Sequence, residues 1–116
     1  MSIRDLEKPD IDLLLKRADE MERALASGKR LDLLRDKVVS TMFFEPSTRT
    51  KMSFQAAVKR LGGENINFSS VESSSMKKGE TLADTLRMVD GYADLIIIRH
   101  SREGSARYAA EVCANP

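Results

Sequence analysis

The sequence predicts an α/β fold, a parallel sheet with helices on both faces, and three observations predict it. Apolar residues recur at three- and four-residue steps in some stretches and form short, continuous β-branched runs in others. These stretches follow one another as a helix, then strand and helix three times over, the alternation that builds a parallel sheet covered on each side. The length of 116 residues suits one core and is too short for two.

The first helical stripe is Ile11, Leu14, Leu15, Ala18, Met21 and Leu25, which Pro9 or Asp10 can start and Ser27-Gly28 stops. Lys37 to Phe44 is short and rich in β-branched and aromatic residues, a buried strand by length and type. From about Ser47 to Leu61 a second helix carries Phe54, Ala57, Val58 and Leu61 on one face. Gly62-Gly63 ends it, because glycine takes the left-handed cap conformation readily. Asn65 to Ser69 alternates polar and apolar, a strand or strand edge. Residues 70–80 have little apolar pattern and are expected to form a loop. Leu82, Thr85, Leu86, Val89 and Ala93 make the third helical stripe. Asp94 to Ile98, aliphatic and β-branched, is the expected central strand. Ala106, Ala109, Ala110 and Cys113 place a fourth helix, with Cys113 on its core face.

Composition excludes several function classes. Nineteen Lys and Arg against eighteen Asp and Glu leave a formal charge of +1, which gives no support to a whole-chain nucleic-acid or membrane-surface role. One cysteine excludes an internal disulfide framework, and one histidine beside it is a poor start for a zinc site. No apolar run approaches the ~18–20 residues of a bilayer span. The first eight residues are too mixed in charge for a signal peptide. A reducing cytoplasm is the expected compartment. The charge is uneven, however: residues 37–78 carry seven bases and three acids, and no acid lies between Pro46 and Gly63. Arg49, Lys51, Lys59 and Arg60 fill that stretch. Such a field suits a small anion; a solvated helix face would look the same.

In parallel sheets ligands bind where strands end and helices begin, which directs attention to residues 44–50, 69–80 and 99–104. At the first junction, Phe44-Glu45-Pro46-Ser47-Thr48-Arg49-Thr50, a strand runs straight into a helix. The first-turn N–H groups lack intrahelical partners, and with the helix dipole they form an anion site. Ser47, Thr48 and Thr50 add hydroxyls, and Arg49 adds a fork matched to phosphate oxygens. A serine N-cap with ordinary surface neighbours is the plainer alternative. The glycines and Gly-Lys-Ser/Thr ending of a Walker A loop are missing. The second junction, Ser73 to Glu80, reads by itself as a solvated loop. At the third, Arg99 leaves the core facing the same mouth as the first junction, or serves as a surface ion-pair partner. His100 is either an acid–base group or a structural hydrogen-bonder. No nucleophile has a local base, no G-x-S-x-G elbow exists, and no paired carboxylates occupy a plausible cleft. What remains is chemistry by positioning and electrostatics on an acyl or phosphoryl donor.

Phe43-Phe44-Glu45-Pro46-Ser47-Thr48-Arg49-Thr50, then Ser53-Phe54, Leu61-Gly62-Gly63, Lys78-Gly79-Glu80-Thr81-Leu82-Ala83-Asp84-Thr85 and Arg99-His100 resemble the aspartate/ornithine carbamoyltransferase family. The resemblance covers nearly the whole chain in the right order. It implies that Ser47, Thr48, Arg49 and Thr50 hold the phosphate of carbamoyl phosphate, with Arg49 also stabilising the departing phosphate. Thr50 and Arg99 would polarise the carbamoyl carbonyl oxygen. Ser74 and Lys78 match the family's mobile loop, which reaches into a neighbouring subunit's active site, where the lysine serves both substrates. Lys78-Gly79-Glu80 favours the aspartate over the ornithine branch, since a cation suits a dicarboxylate acceptor.

Further implications are L-aspartate as second substrate, no cofactor or metal, a homotrimer with shared sites, and a regulatory chain as an additional partner. Lys51 stands where arginine is common, and Ser101 where proline often follows the histidine. The larger departure is length. The His-Pro-x-Gln block and the arginines that grip aspartate do not occur, and Glu45, which helps link the domains, would have no partner. The expectation is a truncated carbamoyl-phosphate-binding domain, residues 1–116, of a two-domain carbamoyltransferase, with negligible turnover by itself and a need for oligomerisation or another packing partner.

Overall fold

A computed structural model describes residues 5–69 and 81–116. Its elements are α1 (Lys8–Ala26), β1 (Val38–Phe43), α2 (Thr48–Arg60), β2 (Glu64–Ser69), α3 (Leu82–Asp90), β3 (Leu95–Arg99) and α4 (Ser105–Val112). The chain divides into two compact units, Met1–Leu31 and Asp32–Pro116.

The first unit is built on α1. Its N-cap is Glu7, two or three residues ahead of the expected start at Pro9 or Asp10, because the Asp10 carboxylate reaches back to the Glu7 N–H at 2.9 Å. Pro9 sits in the first turn, where its missing N–H is no loss. Gly28, at φ +71°, closes the far end as expected. The apolar stripe is real in spacing, but no α1 residue is buried, and Leu14 and Leu15 are 58% and 61% exposed.

The second unit holds a three-stranded parallel sheet in the order β2-β1-β3. The order itself explains why both faces are covered. From β1 the chain steps one way to β2 through α2, then crosses back over β1 through α3 to reach β3. Right-handed crossovers in opposite directions must place their helices on opposite faces. Side-chain alternation agrees with this. Met42 packs with Leu86 and Val89 of α3, with Ala93, and with Ala109 of α4, while Thr41 faces α2 and bonds to its Gln55. β1 is therefore buried on both sides from Val39 to Phe43.

Three expectations need correction. β3 is not central: among the described residues it is an edge strand paired with β1 alone, and its residues are only half-buried up to Ile98. On α2, Phe54 (43% exposed) and Ala57 face outward and only Val58 is buried. The face that meets the sheet carries Gln55, whose amide hydrogen-bonds replace apolar packing. On α4, Ala109 is buried but Ala106 and Ala110 are exposed, and Cys113 is half-buried, its thiol donating weakly to the Leu86 carbonyl at 3.9 Å. Burial pushes that thiol up. α3 carries the expected stripe with Thr85, Leu86 and Val89 buried and opens on a reciprocal Thr81–Asp84 box, but it ends at Asp90, so Ala93 is buried beyond it rather than on it.

Charged groups pin the ends of these elements. Asp94, at the start of β3, accepts the Val38 N–H at 2.8 Å and the Lys37 ammonium at 2.9 Å. The tail is fastened by Asp90, which accepts the N–H groups of Ala114 and Asn115, each at 3.0 Å. Asn115 donates its amide to the Asp90 and Ala93 carbonyls, and the Ile96 N–H donates to Pro116 O at 2.8 Å. The Val38 N–H first, then Lys37, hold the Asp94 carboxyl below the usual carboxylate range. A carboxyl lowered by folding contributes stability that is complete above its unfolded value and fades as pH falls through the folded one. Asp94→Asn should therefore unfold at lower urea than the parent chain at pH 7, and the gap should shrink below about pH 4. Urea midpoints measured across that range check it; a gap unchanged by acid would contradict the assignment.

Candidate functional site

The strand order also fixes where a ligand can sit. β1 leads into α2 on one face of the sheet and its neighbour β3 leads into α4 on the other, so a crevice opens beyond the C-terminal ends of β1 and β3. The Phe44 N–H donates to Arg99 O at 2.9 Å, carrying the ladder one residue past β1. This delivers the Arg99 side chain to the start of α2. Its Nε donates to the Glu45 carboxylate, and its Nη1 donates to Ser47 Oγ at 2.8 Å and Thr50 Oγ1 at 3.3 Å. Glu45 was expected to lack a partner; it has one in Arg99, because strand pairing brings the two strand exits side by side.

Ser47 is the N-cap residue of α2, yet its side chain makes no capping bond. With Ser47 Oγ committed to Arg99, the N–H groups of Thr48, Arg49 and Thr50 at the positive end of the helix have no intrahelical partner. The first turn of α2 holds no acid. Ser47 and Thr48 line an open cavity of ≈ 270 Å³ together with Glu45, Lys51, Met52 and neighbouring residues of the β1 exit. Arg49 is exposed and, among the described residues, unpartnered, so its guanidinium is free to turn toward an anion. Arg99 keeps Nη2 without a protein partner among the same residues. Among the described residues the corner thus holds three cations, Arg49, Lys51 and Arg99, against one carboxylate, Glu45. Exposed amides, hydroxyls and guanidinium groups in this number can grip an oxyanion and stabilise charge developing on it.

Of the residues singled out in the sequence, Ser47, Thr50 and Arg99 meet directly, and Thr48 lines the adjoining cavity. Ser74 and Lys78 lie outside the described residues. His100 stacks on Phe44 at a 4.8 Å centroid distance, and its Nδ1 accepts the Arg102 N–H at 2.9 Å, which is the structural of its two readings. Lys51 was not counted as a site residue. Its three-residue spacing from Thr48, which puts both on one helix face, is the signal that could have found it. Among the described residues no group of three His, Cys, Asp or Glu could hold a metal ion, and no helix is long and apolar enough to cross a membrane.

Comparison with known proteins places this geometry in context. A family model described as the carbamoyl-phosphate-binding domain of aspartate/ornithine carbamoyltransferase matches residues 1–116. The aspartate carbamoyltransferase catalytic subunit of Archaeoglobus fulgidus is 53% identical over 116 residues, covering 100% of this chain and 39% of the relative. That of Methanoculleus marisnigri is 56% identical over 117 residues, covering 38% of the relative. Among solved structures, the catalytic subunit of M. jannaschii aspartate transcarbamoylase superposes over the whole chain with TM-score 0.92 at 47% identity, using 39% of that protein. A Trypanosoma cruzi aspartate transcarbamoylase, solved with carbamoyl phosphate and aspartate, superposes with TM-score 0.90 at 42% identity, using 36% of it. The chain therefore spans well under half the length of these relatives.

Proposed function

Since the chain belongs to the aspartate/ornithine carbamoyltransferase family, we propose that it supplies the carbamoyl-phosphate-binding part of an aspartate carbamoyltransferase. The complete protein would transfer the carbamoyl group of carbamoyl phosphate to the amine of L-aspartate, giving N-carbamoyl-L-aspartate and phosphate, a step of pyrimidine biosynthesis in the cytoplasm. The relatives' names and Lys78-Gly79-Glu80 support aspartate over ornithine as the acceptor.

In this reading the N–H groups of Thr48, Arg49 and Thr50, the hydroxyls of Ser47, Thr48 and Thr50, and the Arg49 guanidinium hold the phosphate. Arg99 and Thr50 polarise the carbonyl oxygen. The amine attacks the carbonyl carbon, negative charge collects on that oxygen in a tetrahedral intermediate, and the phosphate leaves with its charge spread over the α2 N-terminus. Ser74 and Lys78 would complete a neighbour's site in a homotrimer, and a regulatory chain is a further partner. No cofactor is required by this chemistry. The arginines that grip the aspartate carboxylates in the family do not occur among these 116 residues, so the chain alone should bind the donor and show negligible turnover.

The observation that carries the reading is the meeting of Arg99 with Ser47 and Thr50 at an uncapped helix start. Calorimetric titration of the chain with inorganic phosphate and with carbamoyl phosphate tests it. Binding by the parent chain, weakened about ten- to a hundredfold by Arg49→Ala, is expected, the scale of one charge-assisted hydrogen-bonding group. Equal binding by both would refute the assigned role of Arg49, and an absence of binding to either would leave only a structural fragment.

A further inference from the structure

The anion site is assembled from two independently anchored parts: Ser47, Thr48, Arg49 and Thr50 ride on α2, while Arg99 rides on β3. Anything that shifts α2 along the sheet changes the spacing between them. The contact that resists such a shift is polar. Thr41 lies in the central strand with no exposed surface, and its hydroxyl donates to Asn67 Oδ1 at 2.9 Å, its register partner on β2. The Gln55 amide on α2 reaches across both, donating to Thr41 Oγ1 at 3.3 Å and to Asn67 Oδ1. Asn65, also on β2, donates its amide to the Gln55 backbone carbonyl at 3.0 Å. One helical residue is thus tied by side chain and by main chain to two neighbouring strands.

Apolar contacts tolerate sliding, since dispersion has no preferred direction, whereas hydrogen bonds weaken within a few tenths of an ångström and with angle. Apart from Val58, α2 buries no residue against the sheet, so this network rather than a broad hydrophobic seam sets its height. Gln55 lies seven residues beyond Thr48, about 10 Å along the helix axis, too far to touch a ligand held at the first turn.

We propose that Gln55, clamped by Thr41, Asn65 and Asn67, is a positioning residue for the anion site, holding the α2 hydroxyls and amides at the correct distance from Arg99. This inference rests on the anion-site reading above. It goes further by assigning part of the affinity to a cluster that makes no contact with the ligand.

The test compares the chain with Gln55→Met, which keeps length and helix propensity but loses both donated bonds while leaving Thr41 paired with Asn67. Asn67→Ala serves as a second variant, since Asn67 is exposed and lies on β2, away from the ligand. Phosphate affinity is measured by calorimetry well below each variant's unfolding midpoint, and amide ¹H–¹⁵N resonances are recorded without ligand. A five- to tenfold loss of phosphate affinity is expected, roughly what a small misplacement of binding groups costs. Resonances of Thr48, Arg49 and Thr50 should move while those of α3 and α4 stay. A purely structural role would lower the midpoint and leave the affinity and those resonances unchanged, which would overturn the positioning role but not the site. Phosphate that fails to bind even the parent chain would overturn the site reading and this inference with it.

Discussion

Arg99→Leu is expected to lower the affinity of this chain for carbamoyl phosphate by roughly a hundredfold or more, the largest single-residue effect at the site. Two losses combine. The first is a charge-assisted donor on the anion, worth about 1.5–3 kcal/mol. The second is the neutralisation of Glu45, whose ion-pair partner among the described residues is Arg99. Leucine leaves a bare carboxylate at the mouth of a site meant for a phosphate. At about 6 Å and an intermediate effective dielectric of about 40, that repulsion is on the order of 1.5 kcal/mol. The two parts can be separated: adding Glu45→Gln to Arg99→Leu should restore about tenfold of the affinity, while Glu45→Gln alone should do little harm. Calorimetry on the four proteins of this cycle gives the coupling directly. No recovery in the double variant would show that Glu45 does not oppose the ligand.

The second large effect concerns the core. Leu86 has no exposed surface and packs among Met42, Val89, Ala93 and Ala109 at the point where α3 and α4 meet the sheet. Leu86→Ala should destabilise the chain by about 3 kcal/mol or somewhat more, from lost transfer energy and from the cavity left behind. A small domain has only about 5–15 kcal/mol in total, so a sizeable fraction of its stability rests on this side chain. Met88, two residues along the same helix, is 43% exposed, and Met88→Ala should change the urea midpoint little, within about 0.5 kcal/mol. Similar midpoints for the two variants would mean that α3 faces the sheet with a different side.

How much of this was legible in the sequence depends on what carried each element. α3 was readable from its Leu82, Thr85, Leu86 and Val89 stripe, a local pattern that packing then obeys, although Ala93, read into the same stripe, lies beyond its end at Asp90. β3 was recognised as a strand but given the wrong place. An aliphatic, β-branched run records a buried environment, whereas its position in the sheet is set by the direction of the crossover, which leaves no mark on composition. α2 was placed correctly and faced wrongly. Phe54 and Ala57 signal burial by hydrophobicity, but the sheet beneath offers Thr41 and Asn67, so the polar Gln55 turns inward. At the site, the convergence of Arg99 on Ser47 and Thr50 followed from the rule about strand ends. The Glu45–Arg99 pair did not, because it depends on the lateral register of two strands 54 residues apart in sequence.

The fastening of the last residues by Asp90, Asn115 and Ile96 has a consequence for exchange with solvent. Terminal amides ordinarily swap their hydrogens for deuterium almost at once. Those of Ala114 and Asn115 each donate to the Asp90 carboxylate, so in heavy water they should retain their hydrogens longer than the unbonded first-turn amides of α2.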